Sequence, residues 1–153
     1  MAKITKILQK LSADYLADGE ELKIGLRVNL KGTALGVGLT AGIGGVLGAV
    51  AGSKTLQQGI EQAKESGIPF SQQMALGLTD KRIIVWSRSQ MSGKPKEIIG
   101  EIPLTDIKGV QFEKGKMGDL IGLRFSEDKI LELESIKVDK GEDFVGTVKA
   151  SIP

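Results

Sequence analysis

The chain has 153 residues, with 21 lysines and arginines, 19 aspartates and glutamates, and neither histidine nor cysteine. The lack of cysteine excludes a disulfide framework, a thiolate nucleophile and a zinc finger, and the lack of histidine removes the commonest general base and metal ligand. A formal net charge of +2 is too small to indicate nucleic-acid binding, and six aromatic residues are few for stacking on bases. With 41% hydrophobic residues, this length predicts a single compact domain.

The N-terminal segment, residues 1–19, is predicted to be an amphipathic helix that precedes the main domain. Apolar residues recur every three or four positions over residues 3–17, and Gly19 follows the pattern. The segment lacks the uninterrupted apolar stretch of a secretory signal, so we expect a cytoplasmic protein. The following stretch, Glu20–Lys31, alternates apolar and polar residues, which predicts a long strand. Its buried face would consist of Leu22, Ile24, Leu26, Val28 and Leu30.

A glycine-rich run, Thr33–Gly52, follows this strand and contains no charged residue. Its length is about that of a membrane-spanning helix, but the run is equally consistent with an insertion that packs on its own domain, because glycine is a poor helix former. Small residues recur at every fourth position, so a helix would present them as a stripe that lets two helices approach closely. The candidate interface residues in this stripe are Gly36, Gly44, Gly48 and Gly52. Lys54–Ser66 is predicted to be a polar helix, so that the whole insertion occupies residues 32–70.

From Gln72 onward the apolar residues recur with a period of two. Closely spaced strands with no helix between them must pair antiparallel. The predicted strands are Gln72–Leu78, Arg82–Arg88, Glu97–Leu104, Ile107–Glu113, Leu120–Phe125 and Ile130–Glu134. A final helix is predicted over Asp139–Ile152, with Asp139 and Glu142 at the spacing of a capping box.

The segments Met74–Trp86, Glu101–Phe112 and Leu120–Leu133 resemble the bacterial pleckstrin-homology-like (PH-like) group that includes YokE-like proteins. In that group a hairpin similar to Leu78–Arg82 precedes a strand entry similar to Ile102–Ile107. The resemblance implies a mainly β (α+β) fold: a seven-stranded antiparallel barrel over residues 20–153 with a C-terminal helix. The amphipathic helix would precede this barrel, and the glycine-rich helical insertion would follow strand one. The motifs are structural, so they imply a fold rather than an activity.

The strands on either side of the insertion are predicted to be hydrogen-bonded neighbours in one sheet. A single bilayer crossing by the glycine-rich run would place those strands on opposite sides of a membrane, so a simple span is disfavoured. The loops after strands one and three would then share one end of the sheet. The basic residues of that end are Lys31, Lys54, Arg88, Lys94 and Lys96. We interpret them as a candidate surface for an anionic membrane or a protein partner.

No arrangement for catalysis stands out in the sequence. Paired carboxylates such as Glu20 and Glu21 lie in turns, on strands or at a helix start, where solvated or capping carboxylates are common. Two glycine-rich matches to nucleotide-binding motifs lack the structural context that those motifs require. We therefore predict a non-enzymatic protein with no cofactor and no metal site.

Two hypotheses of function remain open. In the first, the protein is a PH-like binding module that attaches peripherally to a membrane or to a protein partner through the insertion end. In the second, it is a soluble homo-oligomeric scaffold that assembles through the N-terminal helix and the small-residue stripe. Neither hypothesis involves nucleic acid.

Overall fold

The computed structural model describes residues 3–31, 60–65, 67, 70–116 and 118–152. The glycine-rich run and its four candidate interface glycines lie outside the described residues, as does Lys54. The two longer helices are α1 (Lys3–Ser12) and α2 (Gly141–Ser151), and residues 60–65 are also helical. The strands are β1 (Ile24–Leu30), β2 (Gln73–Leu78), β3 (Arg82–Arg88), β4 (Pro95–Pro103), β5 (Gly109–Glu113), β6 (Asp119–Arg124) and β7 (Ile130–Ser135).

The seven described strands form one sheet in the order β4-β3-β2-β1-β7-β6-β5, and every neighbouring pair is antiparallel. β1 lies in the middle, where Leu26 pairs with Leu76 of β2 and Leu30 pairs with Leu133 of β7. The prediction that the strands before and after the insertion are hydrogen-bonded neighbours is therefore confirmed. The mainly β fold with a C-terminal helix is confirmed as well.

The main core draws its side chains from both halves of the sheet and from α2, so the sheet must curl around it. Leu26, Ile83 and Leu123 are fully buried there, together with Phe144 and Val148 of α2. Burial of each such aliphatic side chain stabilises the fold by roughly 1.5–3 kcal/mol.

A second apolar cluster lies on the outer face of the sheet, under α1. Ile4 and Leu8 of α1 pack there against Trp86 of β3. The amide of Gly25 donates a buried hydrogen bond of 3.0 Å to Thr5 Oγ1. A Cβ at Gly25 would lie 2.7 Å from Leu8 Cδ1, so the close approach of α1 to β1 requires glycine at this position.

Three local predictions were wrong. α1 ends at Ser12 rather than near residue 17, and the chain continues in turns. β1 begins at Ile24 rather than at Glu20, and Leu22 packs in the outer cluster instead of on the buried face of the strand. The expected capping box of α2 is not formed, because Lys140 occupies the cap position and Asp139 binds an arginine of β1 instead.

Among the described residues, no helix is long and apolar enough to cross a bilayer. The return of the insertion to the domain is visible at residues 60–65, where Ala63 is fully buried in the main core. The Gln62 side chain donates to Glu132 Oε1 at 2.8 Å and accepts the Glu132 amide at 3.0 Å. Gln62 therefore binds β7 just beyond the point where β1 ends.

Candidate functional surface

The loop between β3 and β4, residues 89–94, is compact and presents an apolar tip. The Ser89 amide donates to the Lys94 carbonyl at 2.9 Å, and the Gly93 amide donates to the Ser89 carbonyl at 2.8 Å. Gly93 has φ +72°, a left-handed conformation that favours glycine. Met91 is 100% exposed at the tip of this loop, and Lys94 and Lys96 are exposed beside it.

Arg88 supports this loop from within the protein. Its Nε donates to the Met74 carbonyl at 2.8 Å, its Nη1 to the Gly93 carbonyl at 3.2 Å, and its Nη2 to Asn29 Oδ1 at 2.6 Å. The residue is only 7% exposed. Burial, together with the nearby charge of Arg27, lowers the pKa of Arg88 from its ordinary value. The interpretation of Arg88 as a surface cation is therefore wrong, because its guanidinium is committed to holding the loop.

Lys31 lies at the end of β1 and is also engaged within the protein. Its Nζ lies 3.2 Å from Glu132 Oε1, the same oxygen that Gln62 binds. Of the five predicted basic residues, Lys94 and Lys96 are thus both exposed, the first at the end of the β3–β4 loop and the second at the start of β4. Lys31 forms a half-buried ion pair, and Lys54 lies outside the described residues.

A groove of about 250 Å³ separates α1 from the β3–β4 loop. We call it the α1 groove. Its charged lining consists of Lys3, Arg27 and Lys94, and its apolar lining includes Ile4 and Ile7. This groove was not predicted from the sequence because its lining comes from three segments that only the docking of α1 brings together. The small and apolar residues on both faces of β2 and β3 are the sequence signal for this docking, because a strand that is apolar on both faces requires a covering layer on each side.

Arg27 is held in place by a carboxylate from the segment before α2. Its Nε and Nη2 each lie 2.8 Å from an oxygen of Asp139, and its amide donates to Asp139 Oδ2 at 3.0 Å. These hydrogen bonds to Asp139 raise the pKa of Arg27. Asp139 is 3% exposed, so the pair is fixed and Arg27 presents a rigid positive group to the α1 groove.

A larger cavity of about 400 Å³ lies beside the turn between β5 and β6. Its described lining mixes three lysines with three acidic residues: Lys31, Lys114, Lys116, Glu113, Asp119 and Glu134. Such a balanced lining favours neither an anion nor a cation, in contrast to the α1 groove.

The model of the family described as "Bacterial PH domain" matches residues 53–150, more than half of the chain. The protein belongs to the bacterial PH domain family. The match covers β2–β7 and nearly all of α2, whereas α1 and β1 precede it. No curated protein sequence matches the chain.

Solved structures with a similar fold include two bacterial proteins and one human domain. The PH domain from Shewanella amazonensis is 15% identical, with a TM-score of 0.48 and 96% of each chain covered. A Shewanella loihica protein with a PH domain is 16% identical, with a TM-score of 0.45, over 95% of this chain and 87% of that one. The hSac2 domain of the human phosphoinositide phosphatase Sac2 is 10% identical, with a TM-score of 0.47, over 98% of this chain and 85% of that one.

At the opposite end of the sheet, this bacterial PH domain contains a buried ionic cluster. Glu20 Oε1 lies 2.9 Å from Arg82 Nη2, and Glu20 Oε2 accepts a 2.6 Å hydrogen bond from Thr79 Oγ1. Arg82 also pairs with Glu101 and lies over the ring of Tyr15, 4.7 Å from its centroid. The hydrogen bonds from Arg82, opposed by burial and reinforced by Thr79, lower the pKa of Glu20 to about 2. The expectation that Glu20 is solvated was wrong.

α1 of the bacterial PH domain leaves apolar side chains on its outer side. Ile7 is 36% exposed, and Leu11, one turn further along, is 47% exposed. Within the described part of the chain, no group of three or more acidic residues is placed to hold a metal ion. The PH-like fold supports the general role of a binding module.

Proposed function

We propose that the protein is a binding module that attaches peripherally to an anionic membrane surface through the β3–β4 loop, at the end of the sheet where the insertion leaves. The observation that carries this proposal is the fully exposed Met91 at the tip of the loop, beside the exposed Lys94 at the end of the loop and the exposed Lys96 at the start of β4. An exposed apolar tip beside basic side chains suits the boundary between lipid headgroups and acyl chains.

The expected affinity comes from two additive contributions. Each basic side chain near an anionic membrane contributes about 1 kcal/mol, so Lys94 and Lys96 together supply about 2 kcal/mol at moderate salt. Burial of the Met91 side chain among acyl chains adds roughly 1.5–3 kcal/mol. These sums correspond to weak, reversible attachment, to which other segments of the chain can add.

The hydrogen bonds within the β3–β4 loop favour membrane binding, because they reduce the conformational entropy that the loop loses when it binds. Arg88 fixes the Gly93 carbonyl, and the Ser89 hydroxyl accepts the Ser92 amide at 3.3 Å. A loop that is already ordered loses little conformational freedom when Met91 enters a membrane.

Liposome flotation tests the proposal. Wild-type protein should float with vesicles that contain phosphatidylserine and phosphatidylcholine, and should float much less with phosphatidylcholine alone or at high salt. Met91→Ser should lower the partition coefficient about tenfold. The matched control is Val138→Ser, which also changes an exposed apolar residue, 70% exposed, but outside this loop.

Charge reversal provides a second comparison. Lys94→Glu and Lys96→Glu should each weaken flotation, whereas Lys81→Glu, an exposed lysine in the turn at the opposite end of the sheet, should not. The absence of wild-type flotation, or equal losses for all three variants, would refute the proposal. Deletion of residues 33–52 measures the share of the glycine-rich run.

The second candidate function, a homo-oligomeric scaffold, is favoured by the exposed Ile7 and Leu11 on α1. Two apolar side chains one turn apart suit a contact between copies of α1. Multi-angle light scattering tests it: an oligomer that Leu11→Glu dissociates would support the scaffold, and a monomer at all concentrations would refute it.

A further inference from the structure

The α1 groove combines a small volume with an unbalanced positive charge. Its lining contains three cations, Lys3, Arg27 and Lys94, and among the residues that the structure describes no acidic side chain lines it. Its volume of about 250 Å³ exceeds the space of a few water molecules, at about 30 Å³ each, but falls below that of most drug-sized ligand sites. The groove therefore suits a small anionic group with a short organic attachment.

A buried cation behind the groove increases this imbalance. The Nη1 atom of Arg88 would lie 3.5 Å from a Cβ on Gly93, a residue of the groove lining. All of the hydrogen bonds that Arg88 makes within the described residues go to neutral oxygens, of the backbone and of Asn29. A buried cation without a carboxylate is costly, and an anion nearby would offset part of that cost.

The only carboxylate bound to this group of cations in the described part of the chain is Asp139, which pairs with Arg27. Four cationic side chains therefore surround the groove against one carboxylate. Burial and, to a smaller extent, electrostatic repulsion by Arg27 lower the pKa of Arg88, and the negative charge of Asp139 opposes this shift.

We propose that the α1 groove binds the phosphate group of an anionic ligand, with Lys3 and Lys94 as its direct ligands and Arg27 as a fixed charge at its base. Lysine ammonium groups on flexible stems suit a phosphate that carries up to two charges. Ile4 and Ile7 form an apolar wall that fits a glycerol or acyl attachment better than a bare ion. For a lipid phosphate the inference rests on the proposed membrane attachment, whereas a soluble phosphate ester requires no membrane.

The test is a titration of the full chain, followed by NMR of the backbone amides, with inorganic phosphate and separately with glycerol 3-phosphate. Saturable shifts are expected at Ser92, Gly93 and Lys94. Lys94→Glu and Lys3→Glu should each lower the affinity about tenfold, because each replaces an attractive charge with a repulsive one. The matched control is Lys6→Glu, which makes the same charge change at an exposed position of α1 outside the groove and should alter the affinity less than twofold.

Tryptophan fluorescence of the buried Trp86 checks that each variant is folded. If neither phosphate compound gives saturable shifts, or if Lys6→Glu weakens binding as much as Lys94→Glu, the proposed groove site is wrong.

A vesicle arm separates the two sources of phosphate, using phosphatidic acid and phosphatidylserine at equal surface charge. Tighter binding to phosphatidic acid that Lys3→Glu abolishes would support a lipid phosphate in the groove. Saturable binding of glycerol 3-phosphate without vesicle binding would support a soluble ligand and refute the membrane attachment. Vesicle binding without saturable phosphate binding would refute the groove site and leave the membrane attachment standing.

Discussion

Replacement of Glu20 by glutamine will remove a buried charge that holds the segment before β1 to the turn between β2 and β3. The Glu20 side chain is 0% exposed, and its oxygens accept hydrogen bonds from Arg82 and Thr79. The pKa of Glu20 falls from 4.5 to about 2 in the folded protein. At about 1.4 kcal/mol per pH unit, this difference contributes about 3 kcal/mol to the free energy of unfolding at pH 7.

This contribution depends on pH in a defined direction. Because the pKa of Glu20 is lowered by folding, the stabilisation is complete well above pH 4.5 and is lost as the pH falls toward 2. At pH 3 only about 1 kcal/mol of this stabilisation remains. Glu20→Gln lacks this titration, so the difference in stability between wild type and variant should shrink by about 2 kcal/mol between pH 7 and pH 3.

Urea denaturation followed by Trp86 fluorescence measures the difference. With a slope of about 2 kcal/mol per molar urea, the Glu20→Gln midpoint should lie about 1.5 M below wild type at pH 7 and about 0.5 M below it at pH 3. Glu21→Gln changes an exposed neighbour and should follow wild type at both pH values. A Glu20→Gln midpoint within experimental error of wild type, or a difference that is the same at both pH values, would contradict the reasoning.

Three further substitutions test the packing. Gly25→Ala should lower the free energy of unfolding, measured in urea, by about 1–3 kcal/mol, because the added Cβ would collide with α1. Gly146→Ala should raise it by about 0.5–1 kcal/mol, because a Cβ at that helical position has no atom within 4 Å. The opposite order of stabilities would contradict the docking of α1. Gln62→Ala should destabilise by about 1–2 kcal/mol and accelerate hydrogen exchange at the Glu132 amide, because that amide loses its acceptor. Unchanged exchange at Glu132 would show that residues 60–65 do not dock on β7.

The sheet was predictable because its signals are local. Alternation over residues 20–31, and again from residue 72 onward, defines the strands, and the short polar turns between them force antiparallel pairing. The pairing of β1 with β2 across the insertion followed from that pattern. The apolar face of α2, with Phe144 and Val148 buried, was found for the same reason.

The candidate site was predictable only in part, because burial of a charge depends on partners that are distant in the sequence. Arg27 and Asp139 are separated by 112 positions, and Arg88 and Asn29 by 59. An arginine at the end of a strand resembles a surface residue until the carbonyls that surround it are known. The exposure of Lys94 and Lys96 was predictable because the loop before β4 is recognisable from the local sequence, whereas the groove beside them depends on where α1 docks.

The sequence of β3 nevertheless contains a local signal for the docking of α1. β3 carries apolar residues on both faces, and Ile84 and Trp86 on its outer face are buried under α1. A strand that is apolar on both faces indicates a second covering layer. Gly25 and Gly77, which face the same layer, leave the space that this layer occupies.

The contacts of Glu132 explain why a long insertion directly after the central strand β1 does not disrupt the sheet. Lys31, where the chain leaves β1, and Gln62, where it returns, both bind Glu132 Oε1, at 3.2 and 2.8 Å. The two ends of the insertion are thus held together on β7 by contacts that do not involve residues 32–59. Because loop-closure entropy grows only slowly with length, at about 0.6 kcal/mol per doubling, the length of the interval has little effect on the stability of the sheet. The sheet can therefore close around a long insertion, and the ammonium group of Lys31 is engaged in an ion pair rather than free to contact a ligand.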